Sequence, residues 1–591
     1  MRLRFDFKAD GWPDGALCFG DPVDVISANS IGEVTPALEA VWEASRRGLW
    51  TAGYVAYEAA PAFDPAFKTH AACDTPLVWF GIYQDPVLEP GGIEPPIHQN
   101  KEWRPAIDRA EYNASVAAIR EAAGRGDLYQ ANYTFPLLGN IPDDAYAMYR
   151  NLQLSSLCGY GAFIDTGDLT IVSLSPELFF QFNHLDRKVT TRPMKGTRRR
   201  GRWLEEDQKA ANTLAASEKD RAENLMIVDL LRNDIGRIAE HGTVHTPHLF
   251  EIERYPTVWQ MTSTITGLAR PDVSLPELFQ ALFPCGSVTG APKIAAMQEI
   301  ARLERSPRGV YCGAIGMVQP EGDALFSVAI RTITVDRSKH TSSYHVGGGI
   351  TWDSREEDEY EEALSKASVL SEIDDAFELV ETLRLERGEY QLCQRHIDRI
   401  VESAHFFGRP LARCDLEISL CNLSKSHPEG KWRVRLLANA SGCVRAECMP
   451  LVSIEGTQRF CLSLVRFNSQ DRFLFHKTTS RRMYAEAAEG HEDVYDVLLH
   501  NERGELTEFT RGNLVIETGD SRLTPRRECG LLAGTFRQEL LAQGEISEHV
   551  ITAEMLQRAE RIWFINSVHG WVEMEQTPVQ QVYSPISQSP L

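Results

Sequence analysis

Hydrophobic positions along the chain switch between two periods, and the switches outline its elements. Tyr112, Val116, Ile119 and Ala123 recur at helical intervals and stop at Gly124-Arg125-Gly126, which predicts a helix ended by glycine. The run Leu169-Thr170-Ile171-Val172-Ser173-Leu174 reads as a buried strand. Asp220 to Ala239 returns to the helical period, with Leu225, Val228, Leu231 and Ile235 expected on its apolar face, and another helix is predicted from about Glu357 to Ile373. After Asp374-Asp375-Ala376, a strand-like run from Phe377 to Leu385 opens a second region, giving expected domains of 1–373 and 376–591. Within the second, Val494 to Leu499, the turn Asn501-Glu502-Arg503-Gly504 and Glu505-Leu506-Thr507-Glu508 predict a hairpin.

Composition narrows the class. At 591 residues, 43% hydrophobic and 24% charged, the chain is too long for one small core and too apolar for wholesale disorder. Its 61 basic against 83 acidic residues give a formal charge of −22, which repels phosphate backbones and anionic lipids. Neither nucleic acid nor membrane is therefore expected as a partner. No apolar run reaches the roughly 18 residues of a spanning helix. The charged start Met1-Arg2-Leu3-Arg4-Phe5-Asp6 is unlike a secretory signal. The twelve cysteines are scattered without a C-x-x-C pair, as in a cytoplasmic protein with reduced thiols.

Three features carry candidate chemistry. Asp220 and Glu223 are three apart on one helix face, and Glu359 and Glu362 repeat the spacing on another. Facing each other, the two pairs would make an oxygen-only site suited to Mg²⁺; singly, each also reads as a solvated helix face. Gly286-Ser287-Val288-Thr289-Gly290-Ala291-Pro292-Lys293 is a glycine-containing turn opening a helix, able to offer backbone N–H groups to an anion but without Walker A spacing. Val346-Gly347-Gly348-Gly349-Ile350 lets backbone approach a ligand closely. Taken singly, the last two also read as ordinary turn chemistry.

Together with Ser175-Pro176-Glu177, Pro193-Met194-Lys195-Gly196-Thr197, Asp220-Arg221-Ala222-Glu223-Asn224, Arg308-Gly309-Val310-Tyr311-Cys312-Gly313 and Ala329-Ile330-Arg331-Thr332, these segments resemble the chorismate-utilising enzymes. The resemblance implies a large α+β domain of two orthogonally packed antiparallel sheets with flanking helices and a site in the cleft between them. It implies that Glu223 and Glu362 bind Mg²⁺, supported by Asp220 and Glu359, and that the metal holds the ring carboxylate of chorismate. Tyr311 and Arg331 match positions that grip the enolpyruvyl carboxylate, and the arginine fork suits a planar carboxylate. Gly286, Ser287, Gly347 and Lys366 fall at further substrate positions, and Glu177 at an acidic one suited to proton transfer.

Lys195 selects a branch of that family. Anthranilate synthases resemble this motif but carry a small residue there. Aminodeoxychorismate synthases typically have lysine, which adds to ring carbon 2 as the 4-hydroxyl leaves, before ammonia enters at carbon 4 and expels the enzyme. Such a lysine must be neutral, so burial or nearby cations should depress its pKa, with Arg192 and Arg198 adjacent. Gln260 stands where anthranilate synthases usually have histidine, which points the same way. The chain lacks a G-x-C-x-G nucleophile turn, so ammonia is expected from a separate glutamine amidotransferase subunit.

The second region resembles the fold-type IV pyridoxal-phosphate enzymes, which include branched-chain and D-amino-acid aminotransferases and aminodeoxychorismate lyase. The matching segments are Phe377 to Thr382, His396-Ile397-Asp398-Arg399, Lys477-Thr478-Thr479-Ser480-Arg481, Gly504 to Asn513, Leu532 to Arg537, and Asn566-Ser567. This implies an α+β domain in which Lys477 bonds covalently to pyridoxal phosphate and Glu508 pairs with the pyridine nitrogen. Arg399, the Gly534-Thr535 turn and Ser567 would hold the phosphate. The family position of Phe536 is usually aliphatic. A homodimer through this domain is a further implication.

The fusion joins consecutive steps: amination of chorismate, then loss of pyruvate to give 4-aminobenzoate for folate. Two competitors are an anthranilate-type synthase fused to an amino-acid aminotransferase, and a non-catalytic subunit that recruits a glutaminase. Lys195 and Gln260 argue against the first, and the intact acidic pairs and both lysines against the second.

Overall fold

The computed structural model describes residues 1–71, 75–89, 103–142, 144–156, 158–367, 370 and 377–577. The boundary expected at 374–376, and the end of the helix expected to reach Ile373, lie outside the described residues. Contacts divide the chain into two compact units, Met1–Arg199 with Ala210–Asp374, and Arg200–Lys209 with Asp375–Leu591. The second unit thus includes ten residues from within the stretch read as the first domain.

Two ten-stranded sheets, antiparallel throughout the described residues, form the first unit. Alternate side chains of their strands interleave between the sheets, where Leu3, Phe5, Tyr54, Ile164, Ile315 and Leu325 are buried. Helices cover the outer faces. Arg109–Arg125 and Glu356–Ser365 pack on one sheet through Tyr112, Val116, Tyr360 and Ala363. Ile31–Arg46, Glu218–Gly236 and Leu275–Leu282 pack on the other.

The helix predicted to end in glycine does so, with Gly126 capping it at φ 84°. The apolar face of Glu218–Gly236 differs from expectation. Its buried residues are Asn224, Ile227, Val228, Leu231, Asp234 and Ile235, whereas Leu225 is exposed. Position 225 lies about 100° round the helix from 224, so the stripe is read correctly only when Asn224 counts as an inward residue.

The second unit pairs a four-stranded antiparallel sheet with an eight-stranded mixed one. Cys393–Phe407 and Arg413–Ser426 cover the smaller sheet through Ile397, Ile400, Leu416 and Leu420. In the larger sheet Asp496–Asn501 and Leu506–Phe509 form the predicted hairpin. Its turn is closed by the Gly504 N–H donating to the Asn501 carbonyl at 3.0 Å. Among the described residues every cysteine is a free thiol, and no helix is long and apolar enough to cross a membrane.

Candidate functional site

The first unit's site begins with a slip in strand register. Met194–Arg199 pairs with Val258–Leu268, Met194 opposite Thr262 but Thr197 opposite Gln260, so one extra residue is accommodated at Lys195-Gly196. Gly196 takes φ 93°, which an L side chain resists, and the bulge re-aims Lys195. Neighbours fix the strand. The Asn224 amide donates to the Lys195 carbonyl at 3.2 Å and accepts from Ser263 Oγ at 2.6 Å. Gln260 donates to the Gly196 carbonyl at 2.9 Å and accepts from Thr197 Oγ1 at 2.8 Å. The residue that departs from the anthranilate pattern therefore spends its amide on holding the lysine strand.

Opposite lies the glycine run of strand Thr341–Thr351. A Cβ at Gly349 would fall 2.0 Å from Gln130 Nε2 and 3.0 Å from Lys195 Nζ. One at Gly347 would meet the Tyr133 carbonyl at 2.1 Å, while Gly348 faces Glu359 and Lys366 on the covering helix. Three glycines thus thin the sheet, letting the lysine approach one face while the acidic helix approaches the other. Gly349→Val should displace both Lys195 and Gln130, and misplacement by about 1 Å costs roughly 10²-fold in rate. The check is the rate of the chain's first chemical step with retained secondary structure by circular dichroism.

Among the described residues no hydrogen bond or ion pair engages Lys195 Nζ. Burial lowers its pKa, with Lys366 adding to the shift and Glu223, Glu177 and Glu362 opposing it. The second cation is therefore Lys366, in place of the expected Arg192 and Arg198. Arg192 is held by Glu251 and Glu253, and Arg198 is exposed. Glu177 is buried between Leu169–Ser175 and Leu178–Asn183, and among the described residues its Oε1 has no hydrogen-bond partner. Burial pushes it up to about 7, against a hydrogen bond from Ser287 and the charge of Lys195. Ser287 sits in the short helix Gly286–Thr289, where a Cβ at Gly286 would strike Leu230 at 2.3 Å.

The acidic residues form no preformed cage. Among the described residues no three His, Cys, Asp or Glu side chains meet metal-site spacing. Asp220 lies on the lysine bulge, its Cβ 3.0 Å from where a Gly196 side chain would begin. Burial raises Glu223, with Asp220 and Glu362 adding to it against Lys195 and Lys219. Burial also raises Glu359, with Glu362 adding to it against Ser354. Glu362 goes down because Lys366 pairs with it at 3.0 Å, the same amine donating to the Gly347 carbonyl at 2.8 Å. Carboxylates that raise one another are what a divalent cation relieves, and Mg²⁺ needs only one or two of them besides water and substrate. The donor set fits the ion.

Among the described residues no hydrogen bond or ion pair joins Tyr311 or Arg331 to that cluster. Tyr311 is buried with its ring stacked on His345 at 4.9 Å, and burial raises its phenol. Arg331 takes a left-handed φ of 50° between strands Ala324–Val328 and Thr332–Asp336, and no carboxylate pairs with its guanidinium among the described residues. Such strain in a non-glycine residue is typical of functional positions. Sequence reading missed Gln130, whose amide nitrogen and oxygen are both buried beside Gly349 and Lys195, without a partner among the described residues. A lone glutamine at a strand start gives no chemical signal of its own.

The second unit has its own cluster. Lys477 follows the short helix Arg472–Leu474, and its carbonyl accepts from the Val380 N–H at 2.9 Å. Burial lowers the amine to about 8, helped by Arg399 and Arg481 against Glu381 and Glu508. Glu508, on the inner strand Leu506–Phe509, accepts from Tyr484 Oη at 2.9 Å, and burial pushes it up to about 7. Arg399 grips Glu381 with Nε and Nη2, both at 2.7 Å, and gives Nη1 to the Ala533 carbonyl. Two of its five N–H groups remain to meet an anion. Gly534 and Thr535 open helix Thr535–Ala542, and a Cβ at Gly534 would strike Asn513 Oδ1 at 2.1 Å.

Glu381 and His396 belong to matching segments but were not singled out as site residues. His396 bridges Glu381 (2.6 Å) and Thr535 Oγ1 (3.1 Å), tying the arginine clamp to the turn. Although burial opposes it, Arg399 and His396 hold Glu381 down to about 2. Ser567 places its hydroxyl 3.5 Å from the Thr382 carbonyl. Phe536, the atypical residue, packs edge-on against Trp571.

Comparison with known proteins gives two family matches. The model of chorismate binding enzymes matches residues 21–372, and that of class IV amino-transferases matches residues 378–576. The chain is 42% identical over 256 residues to the aminodeoxychorismate synthase of Streptomyces pristinaespiralis, covering 43% of this chain and 35% of that protein. It is 40% identical over 266 residues to aminodeoxychorismate synthase component 1 of Klebsiella aerogenes, covering 45% of this chain and 58% of that one. The chain therefore spans only about a third to three fifths of these relatives' own length. Anthranilate synthase component I of Streptococcus pneumoniae superimposes with a TM-score of 0.53 at 25% identity, covering 63% of this chain and 92% of that one.

Proposed function

Since the chain belongs to the chorismate binding enzyme family, we propose that it converts chorismate to 4-aminobenzoate in two steps, one in each unit. The observation that carries this reading is Lys195 Nζ, a half-buried amine whose pKa burial lowers and which has no hydrogen-bond partner among the described residues, beside Glu177 and over Gly349. A nucleophile needs its lone pair free, and burial supplies that by disfavouring the charged form.

In the first step Lys195 Nζ adds to ring carbon 2 while the 4-hydroxyl departs. Glu177, up at about 7, is protonated over much of the neutral range and delivers the proton that lets the hydroxyl leave as water. Ammonia, supplied by a separate glutaminase subunit, then enters at carbon 4 and releases Lys195. Arg331 meets a carboxylate of the substrate with an unpaired guanidinium. Mg²⁺ would be held by Glu223 and Glu362, with Asp220 and Glu359 in support, and would neutralise the ring carboxylate.

In the second step the amine of 4-amino-4-deoxychorismate is processed in the class IV unit. Pyridoxal phosphate, when bound, supplies an electron sink. The buried amine, the high-pKa carboxyl of Glu508, and the anion-facing turn at Gly534-Thr535 fit that group. Lys477 Nζ takes the proton from the amine-bearing ring carbon and returns one to the departing three-carbon unit, leaving pyruvate and an aromatic ring. Glu508 would hold the proton on the pyridine nitrogen. A cytoplasmic location and a homodimer through this unit complete the reading.

The direct test is purified protein with chorismate, ammonium, Mg²⁺ and pyridoxal phosphate, separating 4-aminobenzoate from anthranilate by chromatography. 4-Aminobenzoate with pyruvate is expected; anthranilate would overturn the reading. Glu177→Gln should lower the first step by about 10²–10⁴-fold. Activity that needs Glu177 protonated falls as pH rises through about 7, so the variant's kcat/KM profile should lose that descending limb.

A further inference from the structure

Residues 200–209 lie inside the stretch matched by chorismate binding enzymes but fold as part of the class IV unit. They comprise a short connection, 200–203, and the first residues of helix Leu204–Ala215. Arg200 grips Asp207 at 2.6 and 2.7 Å, both side chains buried. The Gly201 N–H also donates to Asp207 at 3.0 Å, and a Cβ at Gly201 would fall 2.1 Å from the Asp207 nitrogen. That closure sets the positions of Arg202 and Trp203 within it.

Trp203 is buried in a cluster with Phe467, Leu474, Phe475, Tyr484 and Val497, its ring 5.1 Å from that of Phe475. The Arg202 carbonyl accepts from His476 Nε2 at 3.1 Å. A carbonyl only accepts, so Nε2 carries the proton and Nδ1 must accept from Ser403 Oγ at 2.9 Å. One neutral tautomer satisfies both bonds, and the ring also packs at a tilt against Phe406, 4.3 Å between centroids. Phe475 and His476 immediately precede Lys477. Tyr484, from the same cluster, donates to Glu508.

We propose that residues 200–209 brace the cofactor-holding lysine: Trp203 fills the space under the Phe475–Lys477 turn and the Arg202 carbonyl locks His476, making Trp203 and His476 positioning residues for Lys477. This rests on Lys477 being the residue that bonds pyridoxal phosphate. Its consequence is that the second unit's chemistry depends on chain that belongs, in sequence, to the first. Burial already keeps His476 neutral, its pKa pushed down to about 3, so the lock holds across the working range.

The test uses the full-length apoprotein, measuring against pH how fast added pyridoxal phosphate becomes borohydride-fixed to Lys477, read by peptide mass. The wild-type midpoint is expected near the Lys477 value of about 8. In Trp203→Ala, water reaches the amine and the midpoint should rise by roughly half a unit or more. Trp203→Phe should restore it, and chorismate amination should stay unchanged. If Trp203→Ala does not fold, His476→Asn carries the test, since it removes the lock and leaves Trp203 in place. A midpoint unmoved in the folded variants would overturn the brace. A label absent from Lys477 in the wild-type chain would overturn the cofactor reading, and the brace with it.

Discussion

Lys195→Ala should abolish amination of chorismate, by about 10³-fold or more, because removing a covalent nucleophile removes the whole route rather than one favourable contact. The loss should appear in kcat, while supplied 4-amino-4-deoxychorismate is still converted to 4-aminobenzoate by the second unit. That split separates a catalytic role from a fault in folding. The local electrostatics give a second signature. Where Lys195 is still protonated its charge holds Glu177 down against burial, so in Lys195→Ala, which never carries that charge, Glu177 should titrate above about 7. Any residual hydroxyl-leaving chemistry in the variant should then persist to higher pH than in the wild type. Lys195→Arg should fare no better. A guanidinium stays charged and is bulkier than the amine, and Gln130 and Gly349 already bound the space in which the amine sits. Adduct formation is checked directly by intact-protein mass after mixing with chorismate without ammonium. A mass increase in the wild type that is absent from Lys195→Ala is the expected result, and an equal increase in both would refute the nucleophile assignment.

What could be read before the fold was known follows a physical division. Elements with strong periodicity were legible: the helix capped by Gly126, the buried strand Leu169–Ser175 and the hairpin around Gly504 all stand where alternation and turn chemistry put them. The glycine run 347–349 announced close approach, though not what approaches. Residues whose role depends on which atoms lie opposite were silent. Gln260 looked like a missing histidine, yet its amide braces the lysine bulge. Leu225 looked like core because leucine usually is, but the helix turns Asn224 inward to hold the Lys195 carbonyl. Glu381 and His396 bear no spacing rule, since their partners come from other strands and helices, and Gln130 shows itself only by the unpartnered amide it places, among the described residues, beside Lys195.

The same division explains why residues 200–209 escaped notice. Their sequence, Arg200-Gly201-Arg202-Trp203-Leu204-Glu205-Glu206-Asp207-Gln208-Lys209, holds six charged residues and one tryptophan and no motif of its own. A charged segment becomes core only if its charges pair internally and its aromatic finds a pocket. Both conditions are tertiary, and both are met: Arg200 pairs with Asp207, and Trp203 joins Phe475. A domain boundary drawn at one point along the chain cannot capture a unit completed by a segment some 170 residues upstream of the rest.

Lys477→Ala should stop the second step while leaving the first intact, so 4-amino-4-deoxychorismate accumulates where the wild type releases 4-aminobenzoate and pyruvate. The expected fall in 4-aminobenzoate formation is about 10³-fold or more, because one amine both carries the cofactor and moves the ring proton. The pH dependence distinguishes those two duties. Lys477 stands at about 8, lowered by burial with help from Arg399 and Arg481. It loses its proton as pH rises through that value, so attachment of added pyridoxal phosphate should accelerate between about pH 7 and 9 and then level off. Glu508 at about 7 works in the opposite sense, being the neutral acid below that value and the carboxylate above it. Only the carboxylate can pair with a protonated pyridine nitrogen, and that proton should pull Glu508 down once the ring is in place. Glu508→Gln should therefore still attach pyridoxal phosphate through Lys477 yet lose turnover, whereas Lys477→Ala should lose both. If borohydride fixed the label with equal yield in Lys477→Ala, the lysine assignment would fail. If Glu508→Gln turned over at the wild-type rate, the electron-sink role of this pocket would fail instead.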